Sequence, residues 1–240
     1  MIKVVSTKKL WHEIIEEASE NGIEITEKSA IATQPILTAE KKKQLLSWFN
    51  NNTTVPVVFT SSNAVSSLEE GLGSQALQSI KSLQVFCLSG RTRDAVTEAF
   101  PMAELLGMAS SGMALAKLIL KKGIHEVVFF CGNKRRDELP DLLRQNGVVV
   151  HELVVYETVS TPFIVREDMD AIMFFSPSAV ESFFTLNQLN KNIVCFALGE
   201  TTADSILKYS GNTIIISDTP SQEGMLKSLL AYKHLITSAG

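Results

Sequence analysis

Three observations predict an α/β chain built from two domains with parallel sheets. Short apolar runs alternate with amphipathic stretches almost throughout the 240 residues. No tight hairpin signal joins consecutive runs, so their connections are helical crossovers and each sheet is covered on both faces. One strand–turn–helix pattern also recurs at a separation of 110–115 positions.

The elements follow in order. Residues 2–5 read as a strand, and 9–21 as a helix with Leu10, Ile14 and Ala18 on one face. Gly22 stops that helix. A short strand at 23–25 leads to an extended connector that ends near Pro35. Thr38 can cap a helix running to Phe49, with Lys41, Lys42 and Lys43 as its solvated face. Strands at 57–60, 84–88 and 103–106 alternate with helices at 63–70, 92–100 and 112–121. A strand at 125–130, a helix at 135–145 and a long extended segment at 148–158 complete this half. After Pro162 the alternation resumes with strands at 171–175, 193–198 and 213–217 and helices at 179–186, 202–209 and 223–233.

The repeat sets the domain layout. Phe59-Thr60-Ser61-Ser62-Asn63-Ala64-Val65 resembles Phe174-Phe175-Ser176-Pro177-Ser178-Ala179-Val180, 115 positions later. Ser89-Gly90-Arg91-Thr92-Arg93-Asp94 resembles Gly199-Glu200-Thr201-Thr202-Ala203-Asp204, 110 positions later. Ser111-Gly112-Met113 is echoed by Glu223-Gly224-Met225. The first copy starts only near residue 55, after two β units. The simplest accounting is a discontinuous domain of residues 1–34 and 159–240 with a second domain, 35–158, inserted. Strands near 30–34 and 152–158 are the double crossing.

Composition narrows the function. A net charge of −4 and 7% aromatic residues argue against a nucleic-acid surface. No apolar run approaches the ~18 residues of a membrane span, and no basic n-region with an apolar h-region is read at the N-terminus. The expectation is therefore a cytoplasmic protein. Cys87, Cys131 and Cys195 each lie in or beside an apolar run and read as buried free thiols. His12, His125, His151 and His234 show no metal-ligand spacing. P-loop, dinucleotide-binding and nucleophile-elbow patterns are absent.

In open α/β sheets, ligands bind beyond the carboxyl ends of the strands. Those ends are rich in small donors: Thr60, Ser61 and Ser62; Ser89, Gly90 and Thr92; Ser110, Ser111, Gly112 and Met113; Gly132 and Asn133; Ser176 and Ser178; Gly199, Thr201 and Thr202; Thr219 and Ser221. Any one hydroxyl there has an ordinary job as a helix cap. Together they predict helix N-termini around a cleft, a receptor for several carboxylates or phosphates. Tyr156, one of three tyrosines, lies on the proposed crossing strand. A phenol of ordinary pKa near 10 can donate a proton or hydrogen bond at pH 7. Its alternative is plain packing on a β-ribbon.

These residues resemble the uroporphyrinogen-III synthase family. The specific part is Phe130-Cys131-Gly132-Asn133-Lys134-Arg135-Arg136-Asp137-Glu138-Leu139-Pro140, then Gly147, then Val155-Tyr156-Glu157-Thr158. Phe174-Phe175-Ser176-Pro177-Ser178, Leu198-Gly199-Glu200-Thr201-Thr202-Ala203 and Phe59-Thr60-Ser61 add to it. The likeness runs from about Val57 to Met225, and the first 35 residues match only in pattern, with Thr7-Lys8-Lys9 after the first strand. The resemblance implies two flavodoxin-like domains joined by a two-stranded β-ladder, with the substrate between them. It also implies that the substrate is hydroxymethylbilane, a linear poly-carboxylate. Neutral backbone dipoles can hold such a molecule without burying many lysines. The family tends to have glycine where Ser89 stands, with Gly90 one place later, so displaced amides are expected there.

The resemblance further implies cyclisation to uroporphyrinogen III with loss of water and inversion of ring D. Tyr156 is the candidate catalytic acid; the remaining strand-end residues are candidate substrate-binding groups. No cofactor or metal is expected. The partners expected are the small-molecule substrate alone, with no nucleic acid and no membrane, and the protein is expected to act as a monomer. The rival readings are a cytoplasmic two-domain ligand-binding regulator and an inactive relative.

Overall fold

A computed structural model describes residues 1–51, 55–80, 83–165 and 168–233. His234 of the metal-spacing argument lies outside the described residues. The chain divides into two compact units, Met1–Ala32 with Val159–Gly240, and Thr33–Thr158.

The first unit contains β1 (Ile2–Ser6), α1 (His12–Glu20) and β2 (Ile23–Glu27). Beyond the other unit's chain it resumes with β9 (Ala171–Phe174), α8 (Pro177–Phe184), β10 (Val194–Ala197), α9 (Glu200–Leu207), β11 (Ile214–Ile216) and α10 (Gln222–Ala231). Its strands form one parallel sheet in the order β11-β10-β9-β1-β2. Alternation along the strands sends side chains to both faces. Ile2, Val4, Met173 and Phe196 pack on one side with Ile14, Ala18, Met225 and Leu229 of α1 and α10. Val5, Ile172, Phe174 and Cys195 pack on the other with Val180, Phe183 and Ile206 of α8 and α9.

The second unit runs through β3 (Ile31–Pro35), α2 (Ala39–Asn51), β4 (Val57–Phe59), α3 (Ser62–Leu72), α4 (Ser74–Gln78) and β5 (Gln84–Leu88). It continues with α5 (Arg91–Ala99), β6 (Glu104–Ala109), α6 (Gly112–Lys121), β7 (Glu126–Gly132), α7 (Glu138–Gln145) and β8 (Val149–Ser160). The sheet order is β3-β8-β7-β4-β5-β6. From β8 to β6 all pairs are parallel. Val57, Phe59, Val85 and Phe130 face Val65, Leu68 and Val96 of α3 and α5. Val58, Phe86, Val127 and Phe129 face Leu115, Ile119, Leu139 and Leu143 of α6 and α7. Two rings stack at the centre, Phe59 on Phe130 with centroids 5.2 Å apart.

The strands β3 and β8 run antiparallel. Ile36 N–H donates to Val155 O at 3.1 Å, and Thr161 N–H donates to Ala30 O at 2.9 Å, so the partner numbers fall on one side as they rise on the other. Antiparallel pairing lets both passages of the chain share one ladder.

Numbered within its own unit, the first sheet has the flavodoxin order 2-1-3-4-5. The second sheet, apart from β3, has the order 3-2-1-4-5 instead. The two are circular permutations: starting the first unit at β9 gives 3-2-1-4-5 as well. The repeat therefore continues through the permutation, with β4, β5 and β6 matching β9, β10 and β11, and β7 and β8 matching β1 and β2.

Candidate functional site

All five strands of each sheet's parallel part run the same way, so their carboxyl ends share one edge. In the second unit that edge collects Thr60, Ser61 and Ser62 after β4, Ser89, Gly90 and Thr92 after β5, and Ser110, Ser111, Gly112 and Met113 after β6. Gly132 and Asn133 end β7, and Tyr156 lies beside them on β8. In the first unit it collects Ser176 and Ser178, then Gly199, Thr201 and Thr202, then Thr219 and Ser221. The point where strand order reverses falls between β4 and β7 in one sheet and between β9 and β1 in the other, the usual ligand crevice of such sheets.

Four of the serines are caps. Ser61, Ser111, Ser176 and Ser221 are N-cap residues of α3, α6, α8 and α10. Their Oγ atoms accept main-chain N–H groups of Asn63 (3.2 Å), Ala114 (3.3 Å), Ala179 (3.2 Å) and Gly224 (3.1 Å). Each therefore satisfies its own helix, with the hydroxyl hydrogen left to donate.

Helices α5 and α9 are built differently. Their N-cap residues are Gly90 and Gly199, and neither helix has a side-chain cap bond. No side chain caps the first turn of either helix, which lies at the positive end of the helix dipole; in α9 the Thr202 N–H donates to Gly199 O at 3.0 Å. Just inside lie Thr92, 7% exposed, and Thr202, 3% exposed. Among the described residues no hydrogen bond joins either threonine hydroxyl to the protein.

At Ser89 the turn departs from its repeat. Ser89 N–H and Oγ both donate to Ala109 O, at 2.9 and 3.2 Å, which ties it to the end of β6. The N-cap then falls on Gly90, whose φ of 75° favours glycine. By the repeat, Ser89 corresponds to Gly199, so α5 starts one position later than α9.

The β7–β8 edge is the most constrained part. Cys131 is paired with Val154, but Gly132 with Tyr156, so the register shifts by one residue at Val155. A Cβ on Gly132 would lie 2.4 Å from Cζ and 2.8 Å from the hydroxyl of Tyr156. Asn133 N–H donates to Tyr156 O at 3.1 Å, and Thr158 N–H donates to Asn133 Oδ1 at 2.9 Å.

Behind this edge, Glu152 of β8 binds Arg135 Nε and Arg144 Nη2, and Arg135 also binds Asp137. Burial alone pushes the Glu152 carboxyl up, but the guanidinium bonds, Arg135 first, outweigh it and hold it below the ordinary carboxylate range. The bond to Glu152 pushes the Arg135 guanidinium up. The Cys131 thiol is pushed up to about 11, by burial first and by the Glu152 carboxylate second. All three cysteines are buried and free.

Sequence reasoning left out the turn after β1. By the register of the two sheets, Thr7 follows the Ser6–Met173 pair and falls opposite Phe174, the place that Phe130 holds opposite Phe59 in the other unit. Thr7 is buried, and its N–H and Oγ1 both donate to Met173 O, at 3.0 and 2.9 Å. Carrying the repeat past its visible end would have found this turn. Among the described residues no group of three His, Cys, Asp or Glu side chains could hold a metal ion, and no helix is long and apolar enough to cross a membrane.

The family model for uroporphyrinogen-III synthase HemD matches residues 12–227. No curated protein matches the sequence. Among solved structures, uroporphyrinogen-III synthetase from Helicobacter pylori 26695 is similar at 18% identity and a TM-score of 0.67, over 96% of this chain and 99% of that one. A mutant uroporphyrinogen III synthase from the extremely thermophilic bacterium Thermus thermophilus is similar at 16% identity and a TM-score of 0.62, over 99% and 100%. The structural likeness concerns the fold. The family match spans most of the sequence and includes the Gly132-to-Tyr156 edge and both glycine-capped turns, so the chain belongs to the uroporphyrinogen-III synthase family.

Proposed function

We propose that the chain cyclises hydroxymethylbilane to uroporphyrinogen III, inverting ring D with loss of water. The family match over residues 12–227 is the observation that carries this reading. Substrate carboxylates are held by amides and hydroxyls on the carboxyl edges of the sheets, led by the uncapped turns at Gly90 and Gly199 with Thr92 and Thr202. What supports these two turns over the serine turns is that the serine oxygens already serve their own helices.

Tyr156 acts as the general acid. Its proton goes to the terminal hydroxyl of the bilane, which leaves as water and gives a cationic azafulvene. The substituted carbon of ring D attacks to form a spiro-pyrrolenine, and fragmentation and reclosure then invert that ring. The free bilane can also close unaided to the uninverted isomer, so the main contribution of the protein is to hold one conformer. These steps break the carbon–oxygen bond to the departing water and remake carbon–carbon bonds within the substrate, and the proton released on rearomatisation returns to the phenolate, so no cofactor is assigned. We take the protein to work as a monomer in the cytoplasm, where three buried free thiols remain reduced, and with no nucleic-acid partner, given its charge of −4.

The test is incubation of the purified protein with hydroxymethylbilane, followed by chromatographic separation of the uroporphyrinogen isomers. Isomer III is expected; isomer I alone, at the rate of the buffer control, would overturn the proposal.

A further inference from the structure

We infer that Asn133 is a positioning residue for Tyr156, and that its carboxamide oxygen, not its NH2 group, does the work. The inference rests on the reading of Tyr156 as proton donor and extends it to the residue that fixes the phenol.

In a parallel pair each strand's N–H groups are met by carbonyls of its neighbour. That supply ends at Gly132, where β7 stops and the chain turns toward α7. The extra residue at Val155 has already shifted the pairing, so that Tyr156 stands opposite Gly132. Past this point nothing regular holds β8 against the turn. Asn133 carries the ladder one step further, since its main-chain N–H donates to Tyr156 O and its side-chain Oδ1 accepts Thr158 N–H. The side chain thus replaces the next carbonyl of the ladder, a local substitution that short polar side chains make readily. The two bonds bracket Tyr156 and Glu157, and the phenol ring drops into the space left by the missing side chain of Gly132. Asn133 is itself exposed, so packing does not explain its placement. The bond to Thr158 does.

An acceptor role and a substrate-contact role predict opposite rankings of two variants. Asn133→Ala removes the acceptor, whereas Asn133→Asp keeps an acceptor in the same place and adds negative charge. If Asn133 positions Tyr156, N133A lowers kcat by about 10-fold with little change in KM, and N133D restores kcat to within about threefold. The amide of Thr158 exchanges faster in N133A and regains protection in N133D. In a Tyr156→Phe background, N133A lowers kcat less than about twofold, because the group it positions is already gone. If Asn133 instead touches substrate carboxylates, KM rises in both variants, most in N133D, and the positioning role is overturned. Outcomes on Tyr156 separate the two readings. A Tyr156→Phe enzyme at the wild-type rate overturns the proton-donor reading and the positioning role with it. A slow Tyr156→Phe enzyme in which N133A still has its full effect overturns the positioning role alone.

Discussion

The ring of Tyr156 occupies the volume that a side chain at residue 132 would fill, with Cζ 2.4 Å from the place of a Cβ on Gly132. Gly132 lies in β7 and is buried, so the requirement is one of space and not of turn geometry. Gly132→Ala should push the ring out or open the β7–β8 edge. The expected cost is about 1–3 kcal/mol of stability, the range for overfilled packing. In activity G132A should approach Tyr156→Phe, which itself should turn over about 10- to 100-fold more slowly if the phenol is the acid. Steady-state kinetics on the two variants and their combination check this; independent losses in the combination would separate the two residues.

The glycine-capped turns call for a different readout. Thr92→Ala and Thr202→Ala should raise KM about 5- to 20-fold each while kcat changes less than about threefold, as when a hydrogen bond common to ground and transition states is removed. Ser61→Ala and Ser176→Ala should instead lower stability by about 1 kcal/mol, since their oxygens cap α3 and α8. Kinetics paired with urea melts on all four variants distinguish substrate contacts from caps.

Glu152 ties stability to pH. Its carboxyl titrates below the ordinary range in the folded protein. It therefore contributes its full stabilisation above the unfolded carboxylate value of about 4.3, and loses it as pH falls through the lower folded value. Glu152→Gln should cost about 1–2 kcal/mol at pH 7, because two guanidinium groups lose their charged partner. The gap between wild type and variant should shrink below pH 4. Urea unfolding at pH 7, 5 and 3 follows it, and a gap that is constant across pH would exclude Glu152 as its source.

Thiol chemistry should be slow in the folded state. Burial pushes the Cys195 thiol up to about 12, and Cys131 lies at about 11. Thiolate is the reactive form, so both are nearly unreactive at neutral pH. Iodoacetamide at pH 7.5 should label none of the three cysteines within the time that labels all of them in urea.

Most of the layering was legible because strand and helix periods differ and each apolar run is bounded by turn residues. Val57-Val58-Phe59 and Ala171–Phe174 sit at the centres of their sheets as continuous apolar runs require. The helix α4 was not legible, since its five residues are too few to show a period. The strand β6 runs to Ala109, three residues past its predicted end at 106, because Gly107 looks like a break. In the fold a Cβ at Gly107 would lie 2.5 Å from Leu118 Cδ2, so close packing and not a turn selects glycine there. The helix α7 starts at Glu138 and not at 135, because Arg135 is held by Glu152 and Asp137 in the turn before it. At the site, a hydroxyl that caps its own helix and one free for a ligand have the same spelling. Ser61 and Thr92 could be told apart only once the helix starts were placed.

The permuted strand order has a consequence for biosynthesis. In the first unit β1 lies between β2 and the central strand β9, and the segment that supplies β9 emerges from the ribosome only after all of Thr33–Thr158. The opening 32 residues must then wait, their apolar face uncovered, while the inserted unit, continuous in sequence, can close first. Protease treatment of stalled nascent chains ending shortly after the inserted segment should find that unit resistant and the leading β–α–β piece cut. Late completion of that sheet keeps the β1 edge bare until the later segment has been translated.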